Sequence, residues 1–156
     1  MSEESVRAQL KEYGLEDRIV DMPDSLATVA LAAEALGIEE DEIAKTLAFM
    51  VEEKPVLVVM AGKARVNNHK FRETFHVKAK MMNGRQLMDL VGHPAGGVTP
   101  FGVKEGVEIY LDETLKRHPV FYPSAGSTDS AVRVSVEEME KITHPVKWVD
   151  VAVENE

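Results

Sequence analysis

The sequence contains no cysteine among its 156 residues. Without a thiol the chain can form no disulfide, no thiolate nucleophile and no cysteine-ligated metal site. The absence of cysteine is also typical of proteins of the reducing cytosol, so we expect a cytoplasmic protein. No apolar run approaches the roughly 20 residues of a membrane span, and the acidic start Met1–Glu4 lacks the charge pattern of a secretory signal. We therefore expect no membrane association.

Several familiar catalytic and cofactor motifs are also missing. The sequence has no GxSxG element, no phosphate-binding P-loop and no dinucleotide fingerprint. No two histidines stand at an HxH or HxxxH spacing, so a metal site is not expected either. The chain is predicted to use no cofactor. The five histidines are His69, His76, His93, His118 and His144.

Positive charge is scarce and concentrated in one place. The net charge of −9 argues against a wide nucleic-acid footprint. Residues 63–85, however, carry seven basic side chains and one acidic side chain, a net charge of +6. This basic segment is either a solvated surface or a small patch that contacts a polyanion over a few phosphates.

Length and composition predict one ordinary globular domain over residues 1–156, with 44% hydrophobic residues. Apolar periodicity predicts helices over 3–13 and 27–36, and turn residues at Lys54 and Pro55 predict a hairpin between 43–51 and 56–61. Because the second hairpin strand is apolar throughout, we expect it to be central and covered on both faces. Further helices are predicted over 67–74, 84–91 and 135–142, and further strands over 19–21, 77–82, 107–111, 120–122, 132–134 and 146–153. The pattern is mixed α/β with several antiparallel neighbours.

Two segments rich in small residues stand out. The glycine loop, Gly92–Gly102, holds four glycines and two prolines in eleven residues, a composition that no helix or central strand tolerates. A stiff loop with bare backbone amides suits a carbonyl, a carboxylate or a phosphate, although a plain connection has the same composition. The second segment, Ser124–Ser127, is called the serine turn below.

Lys45 is the least expected charge in the chain, since it stands between Ile43-Ala44 and the apolar residues from Leu47 onward. Its ammonium either snorkels to the surface or enters a cleft as a fixed positive charge for a phosphate or carboxylate. Thr46 adds a hydroxyl but points to the opposite face of a strand. His93 lies inside the glycine loop, where it either lines a pocket or braces the loop.

Four segments together resemble the YbaK/EbsC family, which is similar to the editing domain of bacterial prolyl-tRNA synthetases. They are Ala27-Thr28 with Ala32-Ala33 and Leu36-Gly37, then Ile43–Leu47, then Gly92-His93 with Gly96–Gly102, and finally Tyr122–Gly126. The third contains the GxxxP element of the family as Gly96 to Pro100. The segments occur in family order over roughly residues 5–150.

The resemblance implies an aminoacyl-tRNA deacylase that hydrolyses the ester of a mischarged small amino acid in trans. It also implies an α/β (α+β) fold in which a mixed, largely antiparallel sheet curls toward a barrel with surrounding helices. The expected partner is the acceptor end of a mischarged tRNA, and an aminoacyl-tRNA synthetase is a further candidate partner.

The expected site residues fall into three groups. Lys45 is implied as the active-site lysine of the family, Gly96 belongs to the loop that faces the aminoacyl group, and the amides of Gly96, Gly97 or Val98 are candidates to stabilise the oxyanion. The basic segment would contact the acceptor stem. The catalytic group is Lys45, Gly96 and Gly97; the substrate-binding group is Thr46, His93, Val98, Thr99, Pro100, Ser124 and Gly126; the nucleic-acid group is Lys63, Arg65, Lys70 and Arg72.

The sequence departs from some relatives around the expected pocket. A tyrosine that some members place on the first strand has no counterpart in Ile19–Asp21, and an aspartate after the second loop falls near Ala131, two positions from Asp129. The amino acid removed can therefore differ between members, and we expect alanine, cysteine, serine or threonine. The alternatives are a non-catalytic module of the same fold that binds tRNA ends, a free amino acid or a synthetase, and an unrelated small-molecule hydrolase.

Overall fold

A four-stranded mixed sheet forms the centre of the molecule. The computed structural model describes residues 2–22 and 28–154. The strand order is β2 (Ala44–Val51), β3 (Lys54–Ala61), β5 (Glu108–Asp112) and β9 (Lys147–Val149). The first pair is antiparallel and the other two pairs are parallel. The prediction of a mixed α/β fold is confirmed.

Strand β3 is covered on both faces, as its unbroken apolar sequence predicts. Because side chains alternate along a strand, Leu57 and Val59 enter one apolar cluster while Val58 and Met60 enter another on the opposite face. All four are fully buried. The sheet therefore separates two hydrophobic cores, one on each of its faces.

The turn of the hairpin between β2 and β3 lies two residues earlier in the sequence than predicted. Glu52 and Glu53 make the turn with φ of 49° and 70°, whereas Pro55 already pairs with Met50 on the strand. Proline is tolerated there because it stands at the start of β3, where the loss of one backbone donor costs little.

The helices distribute over the two cores. Helices α1 (Ser2–Glu12) and α5 (Val136–Thr143) pack on the first face, which includes Val6, Leu10, Met139 and Ile142. Helix α3 (Asn68–Phe75) packs on the second through Phe71.

Polar side chains cap several of the helices. In α5, Ser135 and Glu138 form a reciprocal capping box. Asn67 caps α3 through the backbone N–H of Lys70 at 3.0 Å. Helix α2 runs over Val29–Leu36, and Thr28 caps it by accepting from Leu31 at 3.1 Å. The predicted start at Ala27 lies outside the described residues.

Three two-stranded ladders surround the central sheet, and all are antiparallel. The ladders pair β1 (Ile19–Asp21) with β7 (Ser130–Val132), β4 (Ala64–Val66) with β10 (Ala152–Glu154), and β6 (Val120–Phe121) with β8 (Val134–Ser135).

Two of the predicted strands are each divided into two strands in the structure. The predicted strand 132–134 is interrupted at Arg133, and the predicted strand 146–153 is interrupted between Val149 and Ala152. Strand β4 was not predicted. The curl of the sheet toward a barrel stays a prediction.

Two further segments differ from the sequence prediction. Residues 77–82 are extended but do not form a continuous strand: they meet the outer edge of β2 through Met50 N–H to Lys80 carbonyl at 2.9 Å and Met82 N–H to Ala48 carbonyl at 3.0 Å. The predicted helix 84–91 is a short α4 (Gly84–Gln86) that continues as a π-helix over Leu87–Val91. Gly92 ends it with φ of 94° and opens the glycine loop.

Among residues 2–22 and 28–154, no helix combines the length and the apolar character that crossing a membrane requires.

Candidate active site

A pocket of about 130 Å³ lies where the start of β2 meets α2, the glycine loop and the chain after β6. Four of the alanines and two of the valines of the chain line it beside several hydroxyl-bearing residues, so its wall combines small apolar and polar side chains. The lining residues are Thr28, Val29, Ala32, Ile43, Ala44, Lys45, Thr46, Ala95, Gly96, Val98, Tyr122, Ser124, Ser130 and Ala131.

The start of β2 is held beside the chain that leads to the serine turn. The N–H of Ala44 donates to the carbonyl of Tyr122 at 3.3 Å, and the N–H of Tyr122 donates to the carbonyl of Glu42 at 2.9 Å. These two bonds bring Lys45 and Ser124, which are far apart in sequence, to the same pocket.

Lys45 lies on the face of β2 that carries Phe49, and it is half-buried. Its ammonium donates to the carbonyl of Ala64 in β4. Burial lowers the pKa of Lys45 below its ordinary value, because desolvation disfavours the charged form. The side chain thus places a partly desolvated cation at the edge of the pocket, where an anionic or carbonyl oxygen gains most from it.

Thr46 lies on the opposite face of β2, as predicted from strand alternation. Its hydroxyl is buried and finds no hydrogen-bond partner in the described part of the chain. The hydroxyl of Thr99 is likewise buried without a hydrogen-bond partner in the described part of the chain. Both residues belong to the predicted substrate-binding group. Thr99 is buried within the glycine loop, and of the two only Thr46 lines the pocket.

Two residues of the glycine loop that line the pocket have backbone amides without an acceptor. The N–H of Gly97 donates to the carbonyl of Pro94 at 2.9 Å, so the turn of the loop already uses it. The N–H groups of Gly96 and Val98 have no acceptor among residues 2–22 and 28–154, and both residues line the pocket. Of the three amides expected to stabilise an oxyanion, the Gly97 amide is therefore already engaged, and those of Gly96 and Val98 remain the candidates.

Gly97 has a different part in the site: it lets the glycine loop touch the serine turn. A Cβ on Gly97 would lie 2.8 Å from the backbone carbon of Gly126 and from the backbone nitrogen of Ser127. No real Cβ approaches backbone atoms that closely, so only glycine fits here. Gly97 and Gly126 are both buried, and neither is among the described lining residues.

The serine turn is closed by its own side chains. The hydroxyl of Ser124 accepts from the N–H of Gly126 at 3.2 Å and donates to the carbonyl of Ser127 at 3.1 Å. The hydroxyl of Ser127 in turn lies 2.6 Å from that of Ser130. Gly126 adopts φ of 97°, which lets the chain reverse.

His93 bridges the two ends of the glycine loop. It is 0% exposed, and its Nε2–H donates to the carbonyl of Phe101 at 2.8 Å. Burial lowers the pKa of His93, although backbone hydrogen bonds involving Phe101 and Thr99 act in the opposite direction. His93 and Pro100 are both buried, and neither is among the described residues that line the pocket.

The predicted nucleic-acid group lies outside the pocket and divides in two. Lys63, Arg65 and Arg72 are exposed. Lys70 is half-buried and already engaged, because its ammonium lies 2.9 Å from Asp150 and 3.2 Å from the carbonyl of Ala152.

Several lining residues were missed by the sequence prediction. Val29 and Ala32 come from α2, and the alanine-rich sequence of that helix was the one available signal of a close approach. Ala131 adds a small apolar side chain to the wall of the pocket. Ala95 and Ser130 carried no signal. Within the described ranges, no group of three or more carboxylate or histidine side chains is placed to hold a metal ion.

Comparison with known proteins gives a consistent result. The sequence profile of the aminoacyl-tRNA editing domain matches residues 24–142. An uncharacterised protein of Bacillus subtilis, YwhH, is 38% identical over 152 residues, which cover 97% of each chain. A proposed Cys-tRNA(Pro)/Cys-tRNA(Cys) deacylase of Enterococcus faecalis, EbsC, is 28% identical over 72% of this chain and 70% of its own. The crystal structure of a proposed trans-editing enzyme for prolyl-tRNA synthetase superposes with a TM-score of 0.88 at 27% identity over 97% of both chains.

Proposed function

We propose that this chain, which belongs to the aminoacyl-tRNA editing domain family, hydrolyses the ester that joins a mischarged small amino acid to tRNA. The observation that carries the proposal is the pair of unpaired amides, Gly96 and Val98, on the wall of a small pocket that Lys45 also borders. An aminoacyl ester needs no covalent nucleophile, because it is already activated. It needs a positioned carbonyl and donors for the oxyanion.

In the proposed reaction a water molecule adds to the ester carbonyl, and the amides of Gly96 and Val98 donate to the oxygen as negative charge develops on it. The bond between the carbonyl carbon and the ribose oxygen then breaks. The ribose oxygen takes a proton, and the free amino acid leaves. Lys45 holds the ribose or terminal phosphate end of the substrate through its half-buried ammonium. A vicinal hydroxyl of the ribose can assist the attacking water, since no histidine or carboxylate occurs among the described residues that line the pocket.

The walls of the pocket support a small amino acid. Ala32, Ala44, Ala95 and Ala131 surround a space of about 130 Å³. A longer side chain would have to displace backbone, and one misfitting methylene or hydroxyl changes the transition-state energy by about 1–3 kcal/mol. We expect the order of activity among mischarged tRNAs to follow side-chain size, with alanine, serine, cysteine and threonine in the accepted range.

The test is a panel of tRNAs charged with alanine, cysteine, serine, threonine, leucine and phenylalanine, with release of the amino acid as the readout. Lys45→Ala is expected to lower kcat/KM by roughly 100-fold, because the substrate loses its anchor. Lys54→Ala is the matched control: it removes an exposed lysine from the same hairpin, away from the pocket. Lys45→Met keeps the apolar stem and separates lost charge from lost packing. Absence of hydrolysis across the panel, or full activity in Lys45→Ala, would contradict the proposal.

One observation favours a second function, a binding module without turnover. No histidine, aspartate or glutamate occurs among the described lining residues, so the side chains that most often act as general bases are not found there. A binding module would retain charged tRNA on the protein and leave its ester intact. Equal ester lifetimes with and without saturating protein would favour this second function over the first.

A further inference from the structure

A second concave surface lies between α3 and the extended segment 77–82. This basic groove has a volume of about 370 Å³ and is lined by Asn68, His69, Arg72, Lys78 and Ala79. It shares no lining residue with the pocket of the candidate active site.

Two cations line the basic groove. Arg72 comes from α3 and Lys78 from the segment 77–82, and both are exposed. Neither forms an ion pair with any carboxylate of the described ranges, in contrast to Lys70 with Asp150 and Arg85 with Asp89. One carboxylate lies nearby, since Glu73 pairs with His69 at 2.8 Å. The groove therefore keeps two uncompensated positive charges in a chain whose net charge is −9.

Both walls of the basic groove are anchored to the core. Phe71 of α3 packs on Phe49 of β2 with ring centroids 4.7 Å apart, and Phe75 packs on Tyr110 at 4.9 Å. The other wall is fixed to β2 by the bridge between Phe49 and Met81. A groove held in this way by core contacts is formed before any ligand arrives, which lowers the entropic cost of binding.

The basic groove lies on the same side of the sheet as the side chain of Lys45. Phe49, which supports α3, is four residues beyond Lys45 on β2, a distance of about 13 Å along a strand. Lys45 also bonds to Ala64, and the chain passes from there through the exposed Arg65 into α3. One exposed basic side chain, Arg65, thus lies on the chain between Ala64, which contacts Lys45, and α3.

We propose that the basic groove seats backbone phosphates of the RNA strand whose end enters the pocket. This inference rests on the proposed function, and it assigns phosphate contacts to Arg72 and Lys78 in place of the engaged Lys70. The planar guanidinium of Arg72 can bind two phosphate oxygens at once, and the ammonium of Lys78 adds a point charge from the segment 77–82. Contacts of this kind position the strand without reading its sequence.

The test is binding of an uncharged RNA acceptor-stem hairpin, measured by fluorescence anisotropy from 25 to 300 mM salt. The variant is Arg72→Ala/Lys78→Ala. The control is Lys11→Ala/Lys141→Ala, which removes the same charge from exposed positions on α1 and α5, the helices of the opposite face. Circular dichroism checks that all forms are folded.

We expect the groove variant to bind about tenfold more weakly at low salt, and the slope of log affinity against log salt to fall by about two. The loss should be equal for two hairpins with different stem sequences, because phosphates carry no sequence information. The control should keep the wild-type slope. A groove variant that behaves like the control, a loss that depends on the stem sequence, or a wild-type protein that binds no hairpin would each overturn the inference.

Hydrolysis is measured separately, so that the two proposals can fail independently. If the wild-type protein binds the hairpin through the basic groove but hydrolyses no mischarged tRNA, the inference that the groove binds phosphates is supported and the proposed function is contradicted. If the wild-type protein hydrolyses mischarged tRNA while the groove variant matches the control in affinity and salt slope, the proposed function is supported and the inference about the groove is contradicted.

Discussion

The two loops that border the pocket are held by different kinds of contact. The glycine loop is held from within by His93, whose ring donates to the carbonyl of Phe101, and also from outside, because the side chain of Gln9 in α1 accepts from the N–H of Gly102 at 2.6 Å. The serine turn is held from within, because the hydroxyl of Ser124 bonds to backbone groups only two and three residues away.

The difference shows how each loop depends on the rest of the fold. The shape of the serine turn follows from its own residues, and it can form as soon as the chain reverses. The glycine loop keeps its shape only where α1 and the core are already in place. Substitutions that act on the glycine loop should therefore affect stability and activity together, whereas those in the serine turn should have smaller and more local effects.

The largest expected effect is at the point where the loops meet. Gly97→Ala places a Cβ within 2.8 Å of the backbone of the serine turn, so one loop must move. A displacement of about 1 Å at the oxyanion donors is expected to lower kcat/KM by about 100-fold. The measurement is deacylation of the best substrate of the panel.

Gly84→Ala serves as the matched control for Gly97→Ala. Gly84 opens α4, and an added Cβ meets no atom within 4 Å there. Its activity should equal that of the wild-type protein. Similar activity of the two variants would show that contact between the loops does not position the site.

The next effect concerns stability and its pH dependence. Because burial holds the pKa of His93 below the ordinary value of about 6.5, the folded protein contains the neutral ring and the unfolded chain takes up the proton first. The stability that depends on neutral His93 is complete above that value and is lost as pH falls below it. We expect the free energy of unfolding to drop between pH 7 and pH 5, with a contribution from His93 of at most about 1.4 kcal/mol per pH unit.

His93→Asn should be less stable at pH 7 by about 2 kcal/mol, since it loses a buried hydrogen bond and leaves a void, and its urea-unfolding energy should depend less on pH. His76→Asn is the control: His76 is exposed and ends α3 at φ of 64°, a conformation that asparagine accepts. An identical pH dependence in the wild-type protein and His93→Asn would exclude His93 as the titrating group.

The smallest expected effect is in the serine turn. Ser124→Ala removes two local hydrogen bonds and should lower the free energy of unfolding by about 1 kcal/mol, with a loss of activity of a few fold. Thr128→Ala, at an exposed position after the same turn, is the control in urea unfolding and deacylation. A loss of deacylation activity in Ser124→Ala as large as that in Gly97→Ala would contradict the difference proposed between the two loops.

Features whose cause lies within a few residues were predictable from the sequence. The capping box of Ser135 and Glu138 is a local pattern, and the unbroken apolar run of β3 indicates burial on both faces wherever the strand lies. Strand β4 has only three residues and no periodicity, so its pairing with β10 left no signal. Residues 77–82 have strand composition, yet they meet β2 through only two backbone hydrogen bonds, Met50 to Lys80 and Met82 to Ala48.

For the candidate site, the sequence indicated which segments were unusual but not which of their atoms are free. Gly96, Gly97 and Val98 were equivalent candidates until the turn at Pro94 engaged the amide of Gly97. His93 remained open between lining the pocket and bracing the loop. In the structure the side chain of His93 is 0% exposed and donates a hydrogen bond to the carbonyl of Phe101. No local sequence pattern could indicate that contact.

The sequence by itself determined the helices, the central hairpin, the two loops of small residues and the concentration of positive charge in residues 63–85. These features follow from the conformational preferences of residues that are close together in the sequence. Only the tertiary structure decided that Gly97 meets Gly126, that Lys45 reaches Ala64, and that Lys70 is engaged by Asp150 while Arg72 is not. The physical reason is that such contacts join residues distant in sequence, so packing of the two cores against the sheet selects them.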